Sequence, residues 1–276
     1  MEIEQAVTRH YAHGSLEEAI LNALVAAGKD LNHLTPKDLA PVDEFHIGGR
    51  QATVAFAEQF GPHPGMRLLD IGCGLGGAAR YFAHEHGCQV TGIDLSGEYV
   101  AVANALAARV GLGERVSCQQ GSALDLPFAP GSFDGAYMFH VGMNIENKAR
   151  LFAEGRRVMA PSGLFGIYDV MRLAAGELAY PVPWASGPES SFVADTESYR
   201  RLLVAAGFEV VKERNRRGFA LEVFEQMRSR GAAGGPAPLG LHIVMGASAA
   251  QKVKNMGSDI AAGLIAPIEL ICRTAK

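Results

Sequence analysis

The stretch Leu68-Leu69-Asp70-Ile71-Gly72-Cys73-Gly74-Leu75-Gly76-Gly77 constrains this chain more than any other. Its glycines let the backbone turn sharply and approach a bound molecule with no Cβ in the way. The apolar run at 66–71 reads as a buried strand, 78–86 as a helix, and 89–94 as a second strand closed by Asp94. Strand, glycine turn, helix, strand and terminal acid form the first unit of a nucleotide-binding α/β domain. The acid at the end of the second strand suits a ribose diol.

Spacing alone leaves the nucleotide open, because the glycines fit G-x-G-x-x-G (72, 74, 77) and G-x-G-x-G (72, 74, 76) equally well. Charge separates the two readings. A dinucleotide sets its pyrophosphate at the next helix N-terminus, where partial positive charge attracts it. Asp70, two residues ahead of the first glycine, would repel that group. It favours the sulfonium and ammonium of S-adenosylmethionine (SAM) instead. An NAD(P)-dependent oxidoreductase and a non-catalytic SAM-binding protein stay as the rival readings.

With 276 residues the chain has room for one large α/β domain, or for a domain plus a cap. A hydrophobic share of 48% against 20% charged residues fits a globular protein with a full core. The net charge of −4 argues against nucleic acid held through its phosphates. Lys212, Arg214, Arg216 and Arg217, interrupted by Glu213, read as a solvated strand end. Cys73, Cys88, Cys118 and Cys272 lack metal-ligand spacing, which points to reduced thiols in the cytoplasm and no metal. Met1-Glu2-Ile3-Glu4 is acidic without a signal-type apolar core, and no apolar span is long enough to cross a membrane.

Residues 1–50 read as an appended helical lid. Ser15 and Glu18 have capping-box spacing ahead of Leu16, Ile20, Leu21 and Leu24, and Thr35-Pro36 opens a second short helix. His46-Ile47-Gly48-Gly49-Arg50 reads as a flexible turn into a helix over 51–60. Residues 51–276 then form the main domain. Strands at 66–71, 89–94, 115–119, 133–139 and 163–170 alternate with helices at 76–86, 97–111 and 147–159, implying a parallel, doubly wound sheet. Cap elements fall around 172–198, with Tyr180-Pro181-Val182-Pro183-Trp184, and around 218–262. A helix at 221–230, a Gly/Ala/Pro loop at 231–238 and a last strand at 266–272 close the pattern.

The run from Asp70 to Met171 resembles the class I SAM-dependent methyltransferases, with a looser likeness from Val42 onward. Gln120-Gly121-Ser122-Ala123-Leu124-Asp125-Leu126-Pro127-Phe128 resembles their "G-D-A-x-x-L-P-F" loop. Ser132-Phe133-Asp134 is similar to the start of their fourth strand, and Met159-Ala160-Pro161-Ser162-Gly163 to their "L-x-P-G-G" turn. His46 to Arg50 resembles the small-molecule branch, which includes glycine, sarcosine and dimethylglycine, phosphoethanolamine and natural-product methyltransferases.

The resemblance implies a Rossmann-like, seven-stranded, doubly wound sheet whose last strand is antiparallel, under an N-terminal helical lid. It implies SAM as the methyl donor and an N or O nucleophile on a small molecule as the acceptor, with a homodimer left open. It places Asp70, Gly72, Gly74 and Gly76 around the methionine part of SAM, Asp94 on the ribose, Leu95 against the adenine, and Ser122 and Ala123 at the adenine edge. Ser122 stands where the family usually has an aspartate, and Asn144 where a histidine is common.

His140, just beyond the fourth strand, is the candidate catalytic base or orienting group; its alternative is a structural histidine. His46 with Arg50 is a candidate for the donor carboxylate or a substrate anion, against a plain surface turn. Tyr11 and His13 are candidates to close on the donor, Arg172 to bind a substrate carboxylate, and Trp184 with Phe192 to line an acceptor pocket.

Overall fold

The computed structural model describes residues 3–5, 8, 15–234 and 237–275, so Tyr11 and His13 lie outside the described residues. The sheet strands are β1 (Arg67–Ile71), β2 (Gln89–Asp94), β3 (Val116–Gln120), β4 (Phe133–Phe139), β5 (Met159–Arg172), β6 (Phe208–Asn215) and β7 (Ile265–Thr274). They lie in the order β3-β2-β1-β4-β5-β7-β6. Pairing from β3 through β5 is parallel, and β7 runs antiparallel to both β5 and β6. The chain therefore has the seven-stranded, doubly wound sheet with its last strand reversed. The strand order turns back between β1 and β4, and ligands bind outside the carboxyl ends of strands at such a switch point.

Strand alternation divides the core between two faces. On β4, Tyr137 and Phe139 join Phe56, Phe60 and Phe82 on one face, whereas Ala136 and Met138 join Leu151, Phe152 and Tyr199 on the other. The first face is covered by α3 (Gly49–Phe60), α4 (Gly77–His86) and α5 (Gly97–Arg109). The second is covered by α6 (Lys148–Val158) and α7 (Thr196–Ala205). With helices on both faces, the central strands read as continuous apolar runs.

The N-terminal helices α1 (Leu16–Ala26) and α2 (Pro36–Asp43) pack through Leu16, Ile20, Leu24, Leu39 and Val42 against Tyr99, Val102 and Leu106 of α5. Thr35 caps α2 as its sequence implies, with the Asp38 carboxylate accepting its backbone N–H at 2.9 Å. Ser15 makes no side-chain cap, and the Leu16 N–H at this helix start donates to the Glu98 carboxylate at 3.2 Å. A fully buried ion pair fastens α2 to α4: Arg80 Nη2 donates to Asp43 Oδ2 at 2.5 Å and to the Leu75 carbonyl at 2.7 Å. A Cβ on Gly77 would stand 2.5 Å from the Asp43 carbonyl oxygen, so the helix end sits directly on this glycine.

Three local expectations change. The turn at Gly48 is packed rather than flexible: its φ is +87°, and a Cβ there would overlap the Phe219 ring. The Pro161-Ser162-Gly163 turn lies within β5 as an irregularity, between the pairs Phe133–Met159 and Gly135–Leu164. Residues 231–234, read as loop, extend α8 (Arg217–Gly234), which packs near the short α9 (His242–Met245) and α10 (Ala249–Ala261).

Candidate active site

A cavity of about 490 Å³ opens at the carboxyl ends of β1, β2 and β4, and Asp70, Gly72, Gly74, Asp94, Leu95, Ser122 and Ala123 all line it. The backbone of the glycine turn explains its residue types. Gly72 has φ +72°, and a Cβ there would overlap the Val141 side chain, whereas a Cβ on Gly74 would meet only open space. The Asp94 carboxylate holds the turn in place, Oδ2 accepting the Gly74 N–H and Oδ1 the Ser96 N–H, each at 2.9 Å. Burial raises the pKa of Asp94. Each of its oxygens retains acceptor capacity toward a diol. Gly76, with φ +75°, begins α4 behind the turn and does not line the cavity.

Asp70 is 3% exposed, and its Oδ2 has no hydrogen-bond partner among the described residues. Burial holds its carboxyl well above the usual carboxylate range. An acid stripped of water, beside no basic group but the buried Arg80, gains most from a cation, which is what an ammonium or sulfonium supplies. Ser122 has acquired an acid from elsewhere: its hydroxyl donates to the carboxylate of Glu4, which also lines the cavity. A carboxylate thus stands beside Ser122 although the loop itself lacks the usual aspartate.

At the opposite end His140 sits with φ +55°, its N–H donating to the Tyr168 carbonyl at 2.7 Å. Its Nε2 is buried without a hydrogen-bond partner among the described residues, and burial lowers its pKa well below the ordinary histidine value. The ring is therefore neutral, in a backbone region that non-glycine residues seldom adopt. The His46 ring lies 6.0 Å away between centroids.

His46 ends a buried chain that the sequence reading did not pick out. Its Nε2 bonds the Gly49 carbonyl at 3.1 Å and Thr53 Oγ1 at 3.0 Å, and Thr53 donates to Glu44 Oε2 at 2.7 Å. A carbonyl only accepts, so Nε2 carries the proton and Nδ1 of the neutral ring keeps its lone pair. Burial brings His46 down to about 4, while burial and the neighbouring Asp43 push Glu44 up to about 8. Glu44 therefore keeps its own proton at neutral pH, the Thr53 link ties the neutral ring to it, and Nδ1 is the ring atom left to take a proton. Glu44 and Thr53 carried no motif, and only the packing of α2 against α3 brings them together.

Asn144 and Trp184 line the same cavity. The Asn144 amide donates to the Trp184 carbonyl at 2.7 Å, and the buried Trp184 indole donates to Ser191 Oγ at 3.0 Å, so this pair fixes the proline-rich loop. Arg50 and Arg172 are not among the lining residues. Arg50 pairs with Glu85 at 2.7 Å and lies over the Tyr81 ring, and Arg172 donates to the Gly176 carbonyl at 2.8 Å. Among the described residues no group of three or more His, Cys, Asp or Glu side chains is placed to hold a metal ion.

Residues 69–167 match the family described as a methyltransferase domain. Tocopherol O-methyltransferase of Arabidopsis thaliana is 39% identical over 120 residues, 43% of this chain and 34% of that protein. Ajmaline N-methyltransferase of Rauvolfia serpentina is 36% identical over 132 residues, 44% and 45% respectively. A sterol 24-C-methyltransferase of Gibberella zeae is 35% identical over 113 residues, 41% and 30%. The chain thus matches less than half the length of each of these relatives. Among solved structures, geranyl diphosphate C-methyltransferase from Streptomyces coelicolor superposes with a TM-score of 0.73 at 15% identity, covering 100% of this chain and 98% of that one. The cyclase SpnF gives 0.69 at 24% identity, covering 99% and 97%. The comparisons therefore show a stretch over residues 69–167 that matches a methyltransferase domain, within a fold shared end to end with these solved structures.

Proposed function

We propose that this protein transfers a methyl group from SAM to an N or O nucleophile of a small-molecule acceptor. The observation that carries this reading is Asp70: a buried carboxyl on the cavity wall beside a glycine turn, where a pyrophosphate would be repelled and a cationic donor is favoured. In this reading Asp94 takes the ribose hydroxyls, Leu95 and Ala123 flank the adenine, and Ser122 with Glu4 meets its edge. SAM supplies a methyl already activated on a sulfonium, so alignment and exclusion of water are the protein's main tasks. The acceptor's lone pair forms the new bond to carbon, the C–S bonding pair leaves on sulfur, and the acceptor's proton goes to His140 Nε2. Asn144 and Trp184 hold the loop that shuts the cavity, and residues 1–50 act as its lid.

The three curated relatives act, by name, on different atoms, yet each matches less than half of this chain. The shared stretch therefore does not by itself fix the acceptor atom. The net charge of −4 disfavours nucleic acid as that acceptor. Cys73, Cys88, Cys118 and Cys272 are buried and free, which suits the reducing cytoplasm. No described helix is long and apolar enough to cross a membrane.

Calorimetry tests the reading. SAM and S-adenosylhomocysteine (SAH) should bind, and Asp94→Ala should weaken both by at least about tenfold through loss of charge-assisted hydrogen bonds. Unchanged affinity would remove Asp94 from the ribose. A nicotinamide cofactor that raises the melting temperature where SAM does not would favour the oxidoreductase instead. SAM binding without SAH release against a broad panel of amines, phenols and alcohols would leave a non-catalytic binding protein.

A further inference from the structure

Behind the donor cavity lies a second one of about 370 Å³, running between the turn after α2 and helices α8, α9 and α10. The two cavities share a wall made of Glu44, Phe45, His46, His140 and Pro183. Beyond that wall the second cavity is mainly apolar, with Val223, Phe224, Met227, Met245, Val253 and Met256 among its lining. No Lys, Arg or Asp lines it among the described residues, and its only carboxyl is Glu44, at the shared wall.

We infer that this second cavity binds the body of the methyl acceptor, and that the acceptor is an elongated, uncharged, apolar molecule whose single proton-bearing nucleophile reaches the His46–His140 wall. This rests on the methyltransferase reading. Three observations support it. The wall between the cavities is where the unpartnered His140 Nε2 and the His46–Thr53–Glu44 chain lie, so the groups able to take a proton stand between donor and acceptor. The volume is in the range of sites that enclose small organic ligands. The three methionines are flexible and polarisable, so they pack against irregular apolar shapes. With no Lys or Arg among its described lining residues, the cavity disfavours a phosphorylated or carboxylate tail, whose burial without a partner would be costly. Met227, 46% exposed, marks the mouth through which the tail enters.

The test uses the full chain saturated with SAH and a series of 4-alkylphenols, from ethyl to heptyl, titrated calorimetrically. Affinity should climb about fourfold per added methylene until the channel is filled. Met256→Trp, inside the channel, and Met227→Trp, at its exposed mouth, should each weaken heptylphenol by about tenfold. Ethylphenol should lose less, and SAH affinity should hold, which reports an intact fold. A series that does not bind, a flat series, or one indifferent to both variants overturns the channel. SAH binding separates the two readings: its absence would sink the methyltransferase reading, while a phenol series that still tracks chain length would keep the channel.

Discussion

At the scale of single residues, the site depends on polar groups kept without partners. Asp70 Oδ2 and His140 Nε2 are both buried and unpaired among the described residues, and each is costly unless a ligand completes it. His140 is flagged in the sequence by its place after β4, but its neutral state and positive φ come from the fold. His140→Ala should lower turnover, read as SAH release, by about a hundredfold or more, the usual worth of a positioned base. SAH affinity should stay near that of the unaltered protein. Loss of SAH binding with turnover retained at saturation would make His140 a donor ligand. The same burial that defines these residues hid their companions: Glu44 and Thr53 are nine positions apart, one just past the end of α2 and the other within α3, with nothing in their spacing to couple them.

At the scale of elements, the turn between β1 and α4 was readable because strand, glycine and helix signals fall in immediate succession. What sequence could not reveal is what each glycine touches. Gly72 at φ +72° faces the Val141 side chain beyond β4. Gly72→Ala should therefore cost roughly 2–4 kcal/mol, combining an unfavourable left-handed backbone with overpacking. Adding Val141→Ala should recover the packing share and leave the backbone share, so thermal melts of the single and double variants separate the two. Full recovery in the double variant would show that φ contributes nothing. The Gly48 turn follows the same logic: two adjacent glycines suggest flexibility, whereas the Phe219 ring from α8 explains Gly48 by close packing.

At the scale of the whole molecule, buried titratable groups of opposite kind tie stability to pH. Glu44 binds its proton more tightly folded, at about 8 against an ordinary 4.5, so the stability linked to that proton is lost as pH rises through that window. His46 works in reverse: with a folded value of about 4 against 6.5, its contribution is complete above 6.5 and is lost as pH falls toward 4. Between pH 6.5 and 8 His46 stays neutral in the folded protein and sheds only its remaining half-proton in the unfolded chain, so the acids dominate. Ligand-free protein should lose up to roughly 2 kcal/mol across that interval, and Glu44→Gln should flatten the slope in denaturant titrations. A flat profile in the unaltered protein would mean that Glu44 is ionised throughout. By itself the sequence determined the doubly wound sheet, the donor turn and the acid at the end of β2, because those signals are local: apolar periodicity, glycine and charge within about thirty residues. Only the tertiary structure decided which polar groups meet at the His46–His140 wall, that Arg50 and Arg172 turn away from the donor cavity, and that α8 and α10 enclose a second, apolar cavity. Those outcomes depend on contacts between segments far apart in the chain, whose residue types are common and whose spacing carries no periodic signal.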